Sequence, residues 1–202
     1  MEEKITYFET AGLENTEETL RLAAERAKAR GITKIVLAST TGETARLAAE
    51  RFAGTGIKMV VVPHQYGFIG RQRFPAALVS ELEQKGHRVH FGTMLFHTDG
   101  FYGTTTPTIM AILLRTLCQG IKVGVEIILM ATDSGCIAAG EKVIAVTGTG
   151  RGSDTAVVAT AATSTKLYEL HVTEIICKPL ETKSWPAGVR PPLRPEPKSK
   201  TV

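Results

Sequence analysis

The chain has 202 residues, 43% of them hydrophobic and 22% charged, which predicts one globular domain with a substantial core. It contains no apolar run of about 18 residues, and its acidic, mixed N-terminus (MEEKITYFET) is no secretory signal, so we expect a cytoplasmic protein without a membrane partner. The net charge is +4, but three of these charges lie from Glu181 onward, so no basic face for nucleic acid is expected.

The first sixty residues alternate between helical and strand patterns. The stretch ENTEETLRLAAERAKARG carries an apolar stripe at helical spacing, with Asn15 or Thr16 as the predicted cap and Gly31 as the stop. KIVLA is a short β-branched run of the kind that is buried on both faces of a sheet. Helices are therefore predicted over residues 15–31 and 42–53, and strands over residues 34–38 and 57–63.

The rest of the chain continues the alternation less regularly. Helices are predicted over residues 75–84 and 106–118, and strands over residues 87–91, 124–131 (GVEIILMA), 141–148, the AVVATAA stretch and 171–179. The long segments 64–74 and 92–107 are connections of the kind that are usually functional or mobile. We expect a doubly wound, mostly parallel five-stranded α/β sheet with helices on both faces and an added edge strand.

The sequence also indicates the domain boundaries and the state of the cysteines. Residues 1–179 are predicted to form a single ligand-binding domain, and residues 180–202 a proline-rich, basic, extended tail in which Trp185 could serve as an anchor. The three cysteines, Cys118, Cys136 and Cys177, are widely spaced and lack a CxxC pair, which favours free thiols over a zinc site or disulfides. Asn15 is the sole asparagine, a weak indication of a thermophilic source.

Four predicted strands end in small polar loops: STTGETA, PHQYGF, ATDSG and TGTGRGSDT. Open parallel sheets bind ligands outside the carboxyl ends of their strands, so these loops are the candidate site. In STTGETA, Thr40 and Glu43 have the spacing of a capping box, which would explain the loop without a ligand. Alternatively, the N–H groups of Gly42–Thr44 and nearby hydroxyls cradle a phosphate at the positive helix end, with Glu43 opposing the anion.

The second candidate cradle is TGTGRGSDT, residues 147–155. Its alternating glycines allow backbone N–H groups to converge on an anion, and Arg151 could clamp a phosphate. Ser153 stands where the dinucleotide fingerprint requires a third glycine, which makes NAD a weak candidate. A flexible turn between strands is the alternative.

No familiar catalytic or metal-binding motif is present in the sequence. His87 and His90 flank a predicted strand and face opposite sides, so they do not suggest a shared metal. His64 and His97 follow predicted strands, near Tyr66 and Tyr102, and are the titratable groups of interest. Asp133 in ATDSG lies at a predicted strand end, where it could contact a ligand or cap a helix.

The two loops together resemble a known family. The stretch from Asn15 to Phe52, with Thr41, Gly42, Thr44 and Ala45 in its loop, looks like the start of the pyruvate kinase C-terminal domain. KVIAVTGTGRGSDTAVV is similar to that domain's final strand and glycine-rich loop. In allosteric pyruvate kinases these loops hold a sugar-phosphate effector. Residues 64–74 and 92–107 have no counterpart there, and without an N-terminal barrel no pyruvate kinase activity is expected.

The loop GSDTA and the ending EIICKPL further resemble a stand-alone prokaryotic family similar to that domain. That resemblance implies bound flavin mononucleotide (FMN) and no settled reaction. The resemblance thus implies a phosphorylated ligand, FMN, in a flavin-dependent oxidoreductase; the alternative is a non-catalytic sensor or interaction module for a sugar phosphate or nucleotide. A homo-oligomer is compatible with the sequence.

The predicted cofactor-binding residues follow from these loops, with no metal and no catalytic residue assigned. They are Ser39, Thr40, Thr41, Gly42, Glu43, Thr44, His64, Gln65, Tyr66, Thr132, Asp133, Thr147, Gly148, Thr149, Gly150, Arg151, Gly152, Ser153, Asp154 and Thr155.

Overall fold

The structure is a computed structural model that describes residues 2–68, 70–97 and 105–181. The greater part of the predicted tail, with Trp185, lies outside these residues, and so does Tyr102.

Helices and strands alternate in the first half of the described chain, and two successive helices and three further strands follow. The helices are α1 (Thr16–Arg30), α2 (Glu43–Arg51), α3 (Ala76–Gln84), α4 (Thr106–Arg115) and α5 (Gln119–Asp133). The strands are β1 (Thr6–Phe8), β2 (Lys34–Ala38), β3 (Lys58–Val62), β4 (Arg88–Val89), β5 (Lys142–Thr147), β6 (Thr155–Thr160) and β7 (His171–Pro179).

The strands form one seven-stranded sheet in the order β1-β7-β6-β5-β2-β3-β4. Parallel pairs join β1 to β7, β5 to β2, β2 to β3 and β3 to β4. Strand β6 pairs antiparallel with both β5 and β7, so it alone runs against the other six. The predicted mostly parallel α/β class is therefore confirmed, with seven strands in place of the expected five and an edge strand.

Each face of the sheet is covered by helices, and the alternation of side chains along the strands builds two cores. Ile35 and Leu37 of β2 pack into the cluster that contains α1, α2 and α3. Val36, between them, packs into the cluster that contains α5. Because both faces are buried, β2 and β3 are continuous apolar runs, as the sequence indicated.

One predicted strand, residues 124–131, is wrong: it lies inside helix α5. Nearly every residue of this helix is buried, so its sequence is apolar on all sides and lacks the polar stripe of a surface helix. Gly120 and Gly124, one helical turn apart, bring the backbone of α5 close to the sheet; a Cβ on Gly120 would collide with Thr155. The small residues that weaken a helical pattern are here required for packing.

Short edge strands and helix ends account for the remaining differences. β1 was not predicted, because three residues at an edge give no usable period, and β4 retains only two of the five expected residues. α1 begins at Thr16 as expected, but Asn15 makes no capping bond; its Nδ2 donates instead to the Thr10 carbonyl at 2.7 Å. Among the described residues, none of the helices has the length and apolar character needed to cross a membrane.

Candidate functional site

A cavity of about 920 Å³ opens at the carboxyl edge of the sheet. Its mouth is formed by the loops that follow β2 and β5, with residues 12–14 beside them. Its inner end is formed by residues after β3, residues before α4, Arg115 of α4 and α5 residues between Gln119 and Met130. Since β2, β3 and β5 run parallel, their carboxyl ends meet at this edge, and the loops that were predicted from separate parts of the chain become neighbours.

The β2–α2 loop is held by a different contact from the one predicted. Ser39 Oγ accepts a hydrogen bond from the Ala45 N–H, in the first turn of α2, at 3.3 Å, and the N-cap residue itself makes no side-chain capping bond. The N-cap is Gly42, whose φ of 88° is accessible to glycine, and a Cβ there would collide with Leu78 of α3. The capping box therefore does not form, and the first N–H groups of α2 have no acceptor within the helix.

The β5–β6 loop is a hairpin whose conformation is fixed by buried hydrogen bonds. Asp154, fully buried, accepts from the Thr149 N–H at 3.0 Å and from Thr155 Oγ1 at 2.7 Å. Burial raises the pKa of Asp154, and those hydrogen bonds oppose the shift. Thr16 Oγ1 of α1 accepts from the Ser153 N–H at 2.9 Å. These contacts fix the base of the hairpin, and its residues 148–152 line the cavity.

An ion pair joins the two loops across the mouth of the cavity. Arg151 Nη2 lies 3.0 Å from Glu43 Oε2 and 3.2 Å from Glu43 Oε1. Both side chains are largely exposed, so the pair adds little to folding stability. It shows that the loops are within one side-chain contact of each other, and that an anion at the mouth would compete with Glu43 for Arg151.

Three ionisable side chains meet at the inner end. The ammonium group of Lys122 forms a short hydrogen bond to Glu126 Oε2 one helical turn away on α5. His97 Nδ1 lies 3.3 Å from Lys122 Nζ and 3.4 Å from Glu126 Oε1. The Phe96 N–H donates to Glu126 Oε1 at 2.8 Å, which fixes the carboxylate.

Burial and pairing act in opposite directions on this cluster. Burial lowers the pKa of Lys122 to about 8, although Glu126 opposes that shift. Burial also disfavours the ionised form of Glu126, but the contacts of its carboxylate with His97 and Lys122 outweigh burial and lower the pKa of that carboxyl to about 2. At neutral pH the pair is therefore ammonium and carboxylate, with an amine that gains or loses its proton within reach of physiological pH.

Aromatic and cationic side chains line the walls around the cluster. Phe68 stacks edge-on between His64 and His97, at centroid distances of 4.9 and 5.1 Å. Burial lowers the pKa of His64, and the neighbouring His97 and Arg73 add to that shift. Arg115 of α4 donates from Nε to Gln119 Oε1 at 2.6 Å on the cavity wall. The described side chains at the inner end are thus aromatic and predominantly cationic.

Most of the predicted cofactor-binding residues line the cavity. These are Ser39, Thr40, Thr41, Glu43, Thr44, His64, Gly148, Thr149, Gly150, Arg151 and Gly152. Gly42, Thr147, Ser153, Asp154 and Thr155 lie buried beneath the two loops, outside the lining.

Four predicted residues lie elsewhere. Thr132 and Asp133 end α5, which runs against β5, so they lie at the opposite edge of the sheet; Asp133 Oδ1 there accepts from the Ser164 N–H at 2.7 Å. Gln65 accepts from the Met94 N–H at 2.6 Å and braces the loop after β3. Tyr66 is 68% exposed and packs against Phe91.

Lys122, Glu126, Gln119, Phe68 and Arg115 were missed by sequence reasoning. For Lys122 and Glu126 the cause is the assignment of residues 124–131 to a strand, which separated the two side chains. Their i, i+4 spacing within an apolar run was the available signal, because two opposite charges one turn apart suit a helix and not a strand.

All three cysteines are free thiols; Cys118 and Cys177 are buried and Cys136 is half-buried. No group of three or more metal-ligating side chains occurs in the described parts of the chain.

Solved structures of pyruvate kinase from Cryptosporidium parvum are similar to this chain. One has 15% sequence identity and a TM-score of 0.41 over 73% of this chain and 23% of its own. Another, in complex with ADP, has 16% identity and a TM-score of 0.38 over 71% of this chain and 22% of its own. This chain therefore matches less than a quarter of the length of those enzymes.

Residues 17–159 match the family described as "Pyruvate kinase, alpha/beta domain". This range extends from α1 into β6 and includes the two loops at the mouth of the cavity as well as α5. Because the match covers well over half of the chain, the protein belongs to the family of the pyruvate kinase alpha/beta domain.

Proposed function

We propose that the cavity binds a phosphorylated ligand whose phosphate lies between the β2–α2 and β5–β6 loops. The observation that carries this proposal is the contact of the two loops at the mouth of the cavity, joined by Arg151 and Glu43. The start of α2 presents N–H groups and the positive end of the helix dipole. The hairpin adds the N–H groups of residues 150–152 and the guanidinium of Arg151.

The cavity behind the mouth suits a ligand that is larger than a bare phosphate. Its volume of about 920 Å³ is in the range of small-molecule and cofactor sites. Polar loops line one end, while Phe68, Met94 and Met130 contribute apolar surface towards the other. A ligand with a phosphate at one end and a flat, largely apolar body at the other would use both parts.

We propose FMN as this ligand. Its phosphate, hydroxylated chain and planar ring system follow the same order as the polar mouth and the aromatic inner end. The resemblance of GSDTA and EIICKPL to a stand-alone flavin-associated family supports the same choice. The residues present fit the group: the loops would hold its phosphate, and Phe68, His64 and His97 would border its ring. A bound flavin supplies electron-transfer chemistry, so the chain itself needs to bind, orient and exchange protons.

A sensor that binds the ligand without turnover is the second candidate. The Arg151–Glu43 ion pair favours it, because a bound phosphate that takes Arg151 would release Glu43 at the start of α2. The candidates differ in one measurement: in an oxidoreductase, adding a reduced nicotinamide donor bleaches the visible absorbance of the bound flavin at a catalysed rate. In a sensor the bleaching is no faster than for free FMN.

The experiment that tests the proposal is the visible spectrum of freshly purified protein, followed by a thermal-shift titration with FMN. We expect yellow protein, or colourless protein that FMN stabilises in proportion to its concentration. Colourless protein whose melting temperature does not change on adding FMN would refute the proposed ligand.

A further inference from the structure

A buried ion pair lies at the inner end of the cavity, and the fold alone does not account for it. The side chain of Lys122 is fully buried and that of Glu126 is 3% exposed. Removing two charges from water costs more than their attraction usually returns, and apolar residues of similar size serve a core at least as well. Such groups at a cavity are therefore candidates for a functional role.

His97 stands between this pair and the open part of the cavity. Its ring is held at Nδ1 by Lys122 and Glu126, and its backbone N–H donates to the Met94 carbonyl at 3.0 Å. Nε2 has no hydrogen-bond partner among residues 2–68, 70–97 and 105–181. The side chain is 25% exposed, in contrast to the two behind it. Of the three groups, His97 is the most exposed to the cavity and so the first that a ligand would contact.

Other charged groups face the cluster from neighbouring segments. Arg115 on α4 and Arg73 in the loop before α3 line the same cavity, and so does His64 after β3. Among the described residues at this end, two arginines and Lys122 face the carboxylate of Glu126. An electron-rich part of a ligand, such as a carbonyl oxygen or a ring nitrogen, is therefore favoured next to His97.

We propose that His97, Lys122 and Glu126 form a proton-transfer site in which His97 Nε2 exchanges a proton with the body of the bound phosphorylated ligand. In the forward direction His97, with its ring proton on Nε2, would donate that proton to a lone pair of the ligand while Nδ1 takes a proton from the Lys122 ammonium, which becomes an amine. The Glu126 carboxylate is unchanged and keeps both partners in place, and Lys122 regains a proton from solvent.

His97 is the catalytic residue of this site, while Lys122 and Glu126 position it and replenish its proton. The inference rests on the proposed function, because it requires the phosphate to be held at the loops so that the body of the ligand reaches the inner end. It adds the ligand class: a phosphorylated compound with a proton-accepting carbonyl or ring nitrogen.

Proton counting during FMN binding tests the inference. Calorimetric titrations at pH 8 in two buffers of different ionisation enthalpy give the number of protons taken up. A phosphate monoester with its second pKa at about 6 is already a dianion at pH 8, so uptake reports groups of the protein. Because Lys122 titrates near this pH, a ligand acceptor at His97 should cause uptake of a fraction of one proton.

Three variants test which residues are responsible for the proton uptake. His97→Asn and Lys122→Met should each reduce it at least twofold. His171→Asn is the matched control, because His171 is an exposed histidine at the start of β7, on the opposite edge of the sheet, and its replacement should leave the uptake unchanged. Equal uptake in His97→Asn and wild-type protein would overturn the inference.

A second measurement needs no variant. Diethyl pyrocarbonate modifies accessible neutral imidazoles, and peptide mass spectrometry locates them. With FMN at about 100 times its Kd, few sites remain free, so labelling of His97 should fall at least about tenfold while that of His171 is unchanged. Undiminished labelling of His97 with FMN bound would overturn this inference alone; absence of FMN binding would overturn the proposed function and this inference together.

Discussion

Arg151 Nη2 lies 3.0 Å from Glu43 Oε2, so one ion pair connects the two loops between which we place the phosphate. Glu43 is the first residue of α2, where the helix dipole favours a negative charge. The Glu43 carboxylate also forms an ion pair with the Arg151 guanidinium, the group that a bound phosphate would contact. Glu43 therefore stabilises the unliganded loops and competes with the ligand.

The variant Glu43→Gln should accordingly bind FMN more tightly. Removing one negative charge beside a phosphate should improve the affinity by about 3- to 10-fold at low salt, and the gain should shrink as salt screens the charges. Fluorescence titration of FMN measures both effects. Glu50→Gln is the control, because Glu50 is exposed near the other end of α2; an equal gain there would show that general charge, and not competition for Arg151, is responsible.

Replacing Gly150 should weaken FMN binding in a way that backbone strain alone does not explain. Gly150 has a φ of 82°, and a Cβ there would meet no described atom within 4 Å, so Gly150→Ala adds strain and a methyl group where the ligand approaches. Gly140 has a φ of 83° and equally open surroundings, but it lies at the other end of β5.

Both alanine variants should lose similar free energy of unfolding, about 1 kcal/mol. We expect Gly150→Ala alone to weaken FMN binding, by about 10-fold, in parallel titrations. If both variants bind FMN as the wild-type protein does, the phosphate does not lie on the hairpin.

The sequence was sufficient to predict the half of the site that consists of local loops. The small residues after KIVLA and EKVIAVT mark strand ends whether or not the strand order is known, and parallel pairing then brings these ends to one edge. The residue-level contacts were less accessible. Ser39 accepts from Ala45 in place of the expected capping box, because Glu43 is drawn to Arg151, a partner 108 positions away.

The inner end could not be predicted, for a different reason. A helix buried on all sides loses the amphipathic period that distinguishes it from a buried strand, so GVEIILMA matched both patterns. With the strand assignment, Lys122 fell in a connection and Glu126 in a sheet, and nothing indicated that they share a cavity with His97. Gly120 and Gly124 are four residues apart, a spacing that allows a helix to pack closely against a sheet. This spacing would have favoured the helix.

The ion pair of Lys122 and Glu126 leads to a prediction about stability. Lys122→Met leaves the Glu126 carboxylate buried without its main cation and should cost about 3–5 kcal/mol in free energy of unfolding. Lys122→Met with Glu126→Gln removes both charges and keeps an acceptor for the Phe96 N–H, so it should recover most of that loss. Urea denaturation of the three proteins measures this; a double variant as unstable as the single one would show that the charges themselves stabilise the fold.

Glu126 should also contribute to acid sensitivity. Its pKa is lowered to about 2 in the folded protein, from 4.5, so its stabilising effect is complete above pH 4.5 and is lost as the pH falls towards 2. Between these values the free energy of unfolding of wild-type protein should fall by about 1–3 kcal/mol more than that of Glu126→Gln. The control variant Glu50→Gln should show the same dependence of the free energy of unfolding on pH as the wild-type protein. If Glu126→Gln also shows the wild-type dependence, the Glu126 carboxyl is not stabilised by its partners.

The most direct test of a phosphate site between the loops is a comparison of FMN with riboflavin, which shares the ring but lacks the phosphate. Charge-assisted hydrogen bonds to the phosphate should make FMN bind at least about 10- to 100-fold more tightly to the wild-type protein in fluorescence titrations. Equal affinity for the two compounds, or binding of neither, would contradict the central claim.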